Sequence, residues 1–127
     1  MKTLHLILAC LLIPSLALIA ADASRTGKLY HVVSFKFKEN ASREQIKAVE
    51  EAFRDLKTKI KEIRTLEWGT NVSPEKHNKG FTHGFVLSFK TEKDRNTYLD
   101  HPDHKAFVAI LKPVLDDALV VDFVPQK

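Results

Sequence analysis

The most regular hydrophobic pattern in the chain runs from Gly80 to Phe89. Phe81, His83, Phe85, Leu87 and Phe89 alternate with Thr82, Gly84, Val86 and Ser88. Period two predicts a β-strand with one aromatic face that packs against something, and a histidine stands in that face. Residues 29–38 repeat the design, with Leu29, His31, Val33, Phe35 and Phe37 opposite Tyr30, Val32, Ser34 and Lys36. Two more strands are predicted over 65–72, with Leu66, Trp68 and Thr70 on one side, and over 118–124, with Leu119, Val121 and Phe123 on one side. Between them the period changes. Ile46, Val49, Phe53, Leu56, Ile60 and Ile63 form one narrow helical stripe. It follows Ser42, whose capping-box partner is Gln45, and the helix is expected to run to about Lys61. Such a stripe suits a single flat partner, and a sheet face would serve.

Thr91 and Asp94 open a short helix that ends near His101, because a proline disfavours helical geometry in the residue before it. Pro102 suits the first turn of a new helix, which carries Ala106, Phe107, Ile110, Leu111, Val114 and Leu115 on one side. Pro113 ends or kinks it, and Asp116-Asp117 reads as a turn. Residues 73–79 read as a loop around Pro74 and Asn78, with His77 exposed. Gly84 marks a bulge or a close backbone approach. The order β-α-β-β-α-α-β predicts an α+β domain with a four-stranded antiparallel sheet and helices on one face. The other face would show Val32, Ser34, Thr82, Gly84, Val86, Val120 and Val124. A small, half-polar surface of that kind meets a second copy of itself, so a homodimer through the sheet faces is expected.

The N-terminus is different in kind. Leu4 to Ala21 is apolar except for His5, Pro14 and Ser15, and Ala21-Asp22-Ala23 follows. Residues 1–23 read as an export signal cut after Ala23, or alternatively after Ala20. Two other readings of the segment are a retained membrane anchor and a lipoprotein site at Cys10 after Ile7-Leu8-Ala9. The expectation is an exported protein, periplasmic or secreted, with no membrane attachment once the signal is gone. Residues 24–28 are a linker, 29–124 the domain and 125–127 a tail. Signal removal takes away the only cysteine, and with it any disulfide or thiol nucleophile. The 127 residues carry 20 bases and 16 acids, a net charge of +4 spread over helical faces. No basic stripe interleaved with aromatics points to nucleic acid. No metal or other cofactor is expected: His101, Asp103 and His104 are donors in a short span, but adjacent helical positions converge poorly on one ion.

Five segments together resemble the stress-responsive dimeric α/β-barrel (Dabb) domains. They are Tyr30-His31-Val32-Val33-Ser34-Phe35-Lys36-Phe37-Lys38, Trp68-Gly69-Thr70-Asn71-Val72, Gly80-Phe81-Thr82-His83, Tyr98-Leu99-Asp100-His101-Pro102-Asp103-His104 and Val120-Val121-Asp122-Phe123. The resemblance spans about residues 29–124 and implies a ferredoxin-like subunit, two of which stack their sheets into a barrel. It also implies a cavity between sheet and helices where His31 and His83 meet the segment 98–104. The family includes a plant polyketide cyclase that works by an intramolecular aldol reaction. Its working tyrosine falls on Tyr98, its working histidine on His104, and two further pocket histidines on His31 and His83. Many members have no known activity, and fold does not settle function.

In a catalytic pocket, His104 would be the general base that removes a proton alpha to a carbonyl. Tyr98 would donate a hydrogen bond to the developing enolate oxygen, and His31 and His83 would orient the substrate. The plainer reading stands beside it. Pro102 shapes a helix–helix corner, and His101 or His104 caps or satisfies backbone groups there. His31, His83 and Tyr98 are then core residues with their polar atoms satisfied. Export would also keep the chain from cytoplasmic acyl thioesters. The reading is therefore an exported dimeric domain that binds a small molecule in a histidine-lined pocket, with a cofactor-independent lyase or cyclase as the alternative.

Overall fold

The computed structural model describes residues 28–127. The export signal read over 1–23, and the linker before Lys28, lie outside the described residues. The elements are β1 (Leu29–Phe37), α1 (Arg43–Lys59), β2 (Thr65–Thr70), β3 (His83–Phe89), α2 (Glu92–Asp100), α3 (Pro102–Leu111) and β4 (Leu115–Phe123). The four strands form one antiparallel sheet in the order β2-β3-β1-β4. The sheet is open, with β2 and β4 as its edges.

Local chemistry sets the elements. Ser42 Oγ accepts the backbone N–H of Gln45 at 3.1 Å, and Gln45 Oε1 accepts that of Ser42 at 2.8 Å, which closes the capping box of α1. Glu44 in its first turn and Lys57 and Lys59 in its last complement the helix dipole. The stripe Val49, Phe53 and Leu56 is buried, and it continues past the helix end through Ile60 and Ile63. Phe53 meets Phe85 edge-on at 4.1 Å between ring centroids, stacks on Phe107 at 4.7 Å and lies 5.9 Å from Phe35. These rings tie α1 and α3 to the middle of the sheet.

Three expectations need correction. Strand β3 begins at His83 rather than near Gly80, so Phe81 and Thr82 belong to the connection from β2, which itself stops at Thr70. Strand β4 begins at Leu115, and the expected turn at Asp116-Asp117 lies inside it. A register shift between Lys36 and Phe37 accommodates Asp116 as the extra residue, and Lys36 Nζ lies 3.1 Å from Asp116 Oδ2.

The third correction concerns the faces of β4. Directly opposed residues of an antiparallel pair share a face. Val120 pairs with the buried Val33, so it points to the helix side, and Val124 does not belong to the strand. Leu119, Val121 and Phe123 pair with Ser34, Val32 and Tyr30 and point outward, and Phe123 stacks on Tyr30 at 5.2 Å. The outward face is thus more apolar than the sequence suggested. Val120 is 52% exposed, because the helices lie mainly over β1, β2 and β3 and leave this part of the inner face of β4 uncovered.

The Phe53→Ala variant is expected to lose about 3–5 kcal/mol of stability, the usual cost of truncating a buried phenylalanine. Urea denaturation checks this. A loss under about 1 kcal/mol would show that the ring does not hold α1 to the sheet.

Candidate functional site

The junction of α2 and α3 builds the corner in which Tyr98 and His104 meet. His101 precedes a proline and is extended, with φ −64° and ψ 137°, so the helix cannot continue through it. Pro102 then opens α3, and His101 Nδ1 accepts the backbone N–H of Asp103 at 3.1 Å as the N-cap. The bend sets the last turn of α2 against the first turn of α3. The rings of Tyr98 and His104 lie 4.4 Å apart between centroids. His104 Nδ1 donates to the carbonyl of Leu99 at 3.1 Å. A carbonyl only accepts, so Nδ1 carries the hydrogen and Nε2 keeps a lone pair.

His31 enters from β1, its ring edge-on to Tyr98 at 5.6 Å. Its Nδ1 donates to Asp122 Oδ1 at 2.6 Å, across the β1–β4 pair in which the two residues are directly opposed. The guanidinium of Arg95, three residues before Tyr98 on α2, grips the other oxygen of Asp122. Asp122 is thus held from two sides, and it fixes His31 as the tautomer with a free Nε2.

Burial acts on both ionisable groups of the corner. It pushes the Tyr98 phenol well above its ordinary value of 10, and the nearby Asp122 charge adds to the effect. Burial also pulls His104 below its ordinary 6.5. The Leu99 carbonyl opposes that shift, while His31 and His101 reinforce it. At neutral pH the corner therefore presents a protonated phenol beside a neutral imidazole. The Tyr98 side chain is almost wholly buried.

His83 does not join this group. It pairs with Phe35 on β1, four residues from His31, about 13 Å along the strand. Between them the sheet is filled by Val33, Phe35, Phe85 and Leu87, all buried under Phe53 and Phe107. The single cavity expected to join His31 and His83 is replaced there by solid aromatic packing. His83 Nε2 donates to Glu50 Oε1 at 2.8 Å, and Nδ1 accepts from Thr82 Oγ1 at 2.9 Å. Its ring lies parallel to Trp68 and edge-on to Phe37. Beside it a hollow of about 670 Å³ opens where the β2–β3 connection meets the sheet, with His77 in its lining. Among the described residues, no three of His, Cys, Asp and Glu come together as ligands for a metal ion.

Sequence reasoning missed Asp122, Arg95 and Glu50. The first left a trace: in the strand expected over 118–124, Asp122 is the one acid among apolar residues. Glu50 borders the apolar stripe of α1, and nothing in its own segment marks it.

An open antiparallel sheet with helices on one face and a histidine–tyrosine corner defines a ferredoxin-like α+β domain. The chain belongs to the Dabb family: the model described as "Stress responsive A/B Barrel Domain" matches residues 29–125. It is 32% identical over 99 residues to the stress-response A/B barrel domain-containing protein HS1 of Arabidopsis thaliana, covering 78% of this chain and 91% of the relative. It is 24% identical over 97 residues to olivetolic acid cyclase of Cannabis sativa, covering 76% and 96%. Among solved structures it resembles a hydroxynitrile lyase from Passiflora edulis, with TM-score 0.75, 22% identity and coverage of 80% and 96%. It also resembles a dimeric ferredoxin-like protein from Bacteroides fragilis, with TM-score 0.65, 27% identity and coverage of 78% and 97%.

The lowered value of His104 sets a pH dependence. The folded chain binds this proton less readily than the unfolded chain. The group's contribution to stability is whole above pH 6.5 and is lost as the pH falls through the folded value. A His104→Gln variant is expected to flatten the acid side of the stability profile, followed as thermal midpoint against pH. An unchanged slope below pH 6.5 would assign that loss to other groups.

Proposed function

We propose that the protein is an exported homodimeric Dabb domain that binds a small molecule bearing a carbonyl or hydroxyl group at the corner of Tyr98, His104 and His31. The observation that carries the reading is the pairing of a protonated phenol with an imidazole whose Nε2 has a free lone pair. The phenol donates to the oxygen of either group, and the imidazole lone pair accepts the hydrogen of a hydroxyl. The segment 1–23 supports export. The dimeric relative and the apolar outward face of Val32, Val86, Leu119, Val121 and Phe123 support the homodimer.

Native mass spectrometry of the protein recovered from the medium or periplasm of its own host tests these points together. The expected species is a dimer of chains beginning at Ser24, with a bound small molecule that is lost in Tyr98→Phe and His104→Ala. Apo chains in every preparation would sink the binding reading. Replacing Val121 by Asp is expected to give a monomer at micromolar concentration by sedimentation, and a dimer of unchanged affinity would move the interface elsewhere.

A second reading is favoured by the neutral state of His104. Its Nε2 would take a proton alpha to a carbonyl, and the Tyr98 hydroxyl would hydrogen-bond the oxygen on which charge develops, the lyase or cyclase chemistry. The names of two similar proteins, a cyclase and a lyase, are consistent with it. Hydrogen–deuterium exchange at the methyl group of acetophenone, followed by NMR, reports that proton abstraction without knowledge of the natural substrate. The expected result is catalysed exchange that falls at least about 100-fold in His104→Ala. Exchange no faster than in buffer would leave binding alone.

A further inference from the structure

We propose that Arg95 is a positioning residue that gives the corner a preference for carbonyl compounds that also carry a hydroxyl group. It acts on His31 through Asp122. This role rests on the corner being the binding site proposed above, and it narrows the class of molecule bound there. Arg95 lies three residues before Tyr98 on α2, so both side chains leave one face of the helix. Its Nη1 donates to Asp122 Oδ2, and its Nε donates to Asn96 Oδ1 at 3.0 Å. The Arg95 and Asp122 side chains expose only 20% and 22% of their surface, so this is not a solvated ion pair that holds nothing in place. Asp122 Oδ1 meets His31 Nδ1 at 2.6 Å. A carboxylate only accepts, so the opposite tautomer of His31 would set a nitrogen lone pair against an oxygen lone pair. With its other oxygen gripped by the guanidinium, the carboxylate is not free to turn away and relieve that clash. Arg95 thereby keeps the hydrogen on Nδ1 and a lone pair on Nε2, in a ring that lies edge-on to Tyr98.

The corner then holds one donor, the Tyr98 hydroxyl, and two acceptors, Nε2 of His104 and Nε2 of His31. A plain ketone uses the donor alone. A hydroxy ketone also gives a hydrogen to one of the acceptors. His31 is 5% exposed and His104 is half-buried. A lone pair on His31 therefore has less water to turn to and gains more from a ligand hydroxyl. The charges of Arg95 and Asp122 offset each other in direct contact, so the preference arises without a net charge that would draw an ion.

The probes are acetophenone and ω-hydroxyacetophenone, which differ by one hydroxyl beside the carbonyl, titrated by NMR into the full chain. The parent is expected to bind the hydroxy ketone at least about fivefold more tightly, the worth of one hydrogen bond. In Arg95→Met, which keeps the stem and removes the donor, the ratio of the two affinities is expected to fall to within about twofold of one. A purely structural role would weaken both ketones alike and leave the ratio standing. The imidazole nitrogen resonances of His31, recorded above the ordinary titration range of histidine, are expected to place the hydrogen on Nδ1 in the parent and on both nitrogens in the variant. Should Arg95→Met not fold, Asp122→Asn replaces it, because an amide can donate to Nδ1 and leave the hydrogen on Nε2. Equal affinity of the parent for the two ketones would overturn the preference. A ratio kept in the variant would give the hydroxyl to His104 and overturn the role of Arg95, as would a parent with the hydrogen on His31 Nε2. A parent that binds neither ketone at millimolar concentration would sink the corner as a binding site, and the preference with it.

Discussion

Phe53 is the contact on which the layered architecture depends. Its ring touches the sheet through Phe35 and Phe85 and touches α3 through Phe107, so one side chain of α1 joins three other elements. Each such ring contributes about 1.5–3 kcal/mol by burial, and aromatic pairs in tilted or edge-on contact add to that. Filling the middle of the sheet in this way has a second effect. The polar side chains of the helix-facing surface are pushed to its ends, His31 with Asp122 at one and His83 with Glu50 at the other. The core therefore divides the histidines into two environments as well as stabilising the fold.

The corner at Tyr98 depends in turn on Pro102. Without the steric bar that a proline places on the preceding residue, α2 and α3 would run on as one helix. Tyr98 and His104 would then sit six positions apart on different faces. The bend brings them to 4.4 Å, and the freed Leu99 carbonyl is satisfied by the imidazole it orients. The plainer reading of His104 as a residue that satisfies backbone is thus correct for Nδ1, and it is this bond that leaves Nε2 available. The structural bond and the proposed chemical role fall on different atoms of one ring.

Much of this was legible in the sequence. Caps at Ser42 and Thr91 and the stop at Pro102 are local signals, and they placed the helices within a residue or two. The alternation in β1 and β3 identified the buried faces because only one register is apolar. In β4 that signal fails: Leu119, Val121 and Phe123 alternate with Val120 and Val124, so either face could be the inner one, and only pairing with β1 decides. The separation of His83 from His31 was hidden for a related reason. Both histidines read as members of aromatic faces, but their distance along the sheet follows from strand register, which period two does not encode. Asp122 and Arg95 come from segments far apart in sequence, and only the fold makes them neighbours of His31.

The electrostatics of the corner narrow what it can hold. Burial drives Tyr98 toward the protonated form and His104 toward the unprotonated form, so both are neutral near pH 7. The charges beside them, Asp122 and Arg95, neutralise each other in direct contact, and the remaining face of Asp122 is taken by His31. A carboxylate or phosphate entering this space would lose its hydration and meet no uncommitted cation, at a cost of several kcal/mol. A carbonyl loses far less, since one hydrogen bond from the phenol replaces its water. The same arrangement favours an oxygen that gains charge only during reaction, because a protonated phenol interacts more strongly with an enolate than with a ketone. The two proposed activities, binding of a neutral carbonyl compound and proton abstraction from it, would thus draw on one set of groups. What would separate the two is whether the alpha carbon of a molecule held there came within reach of His104 Nε2.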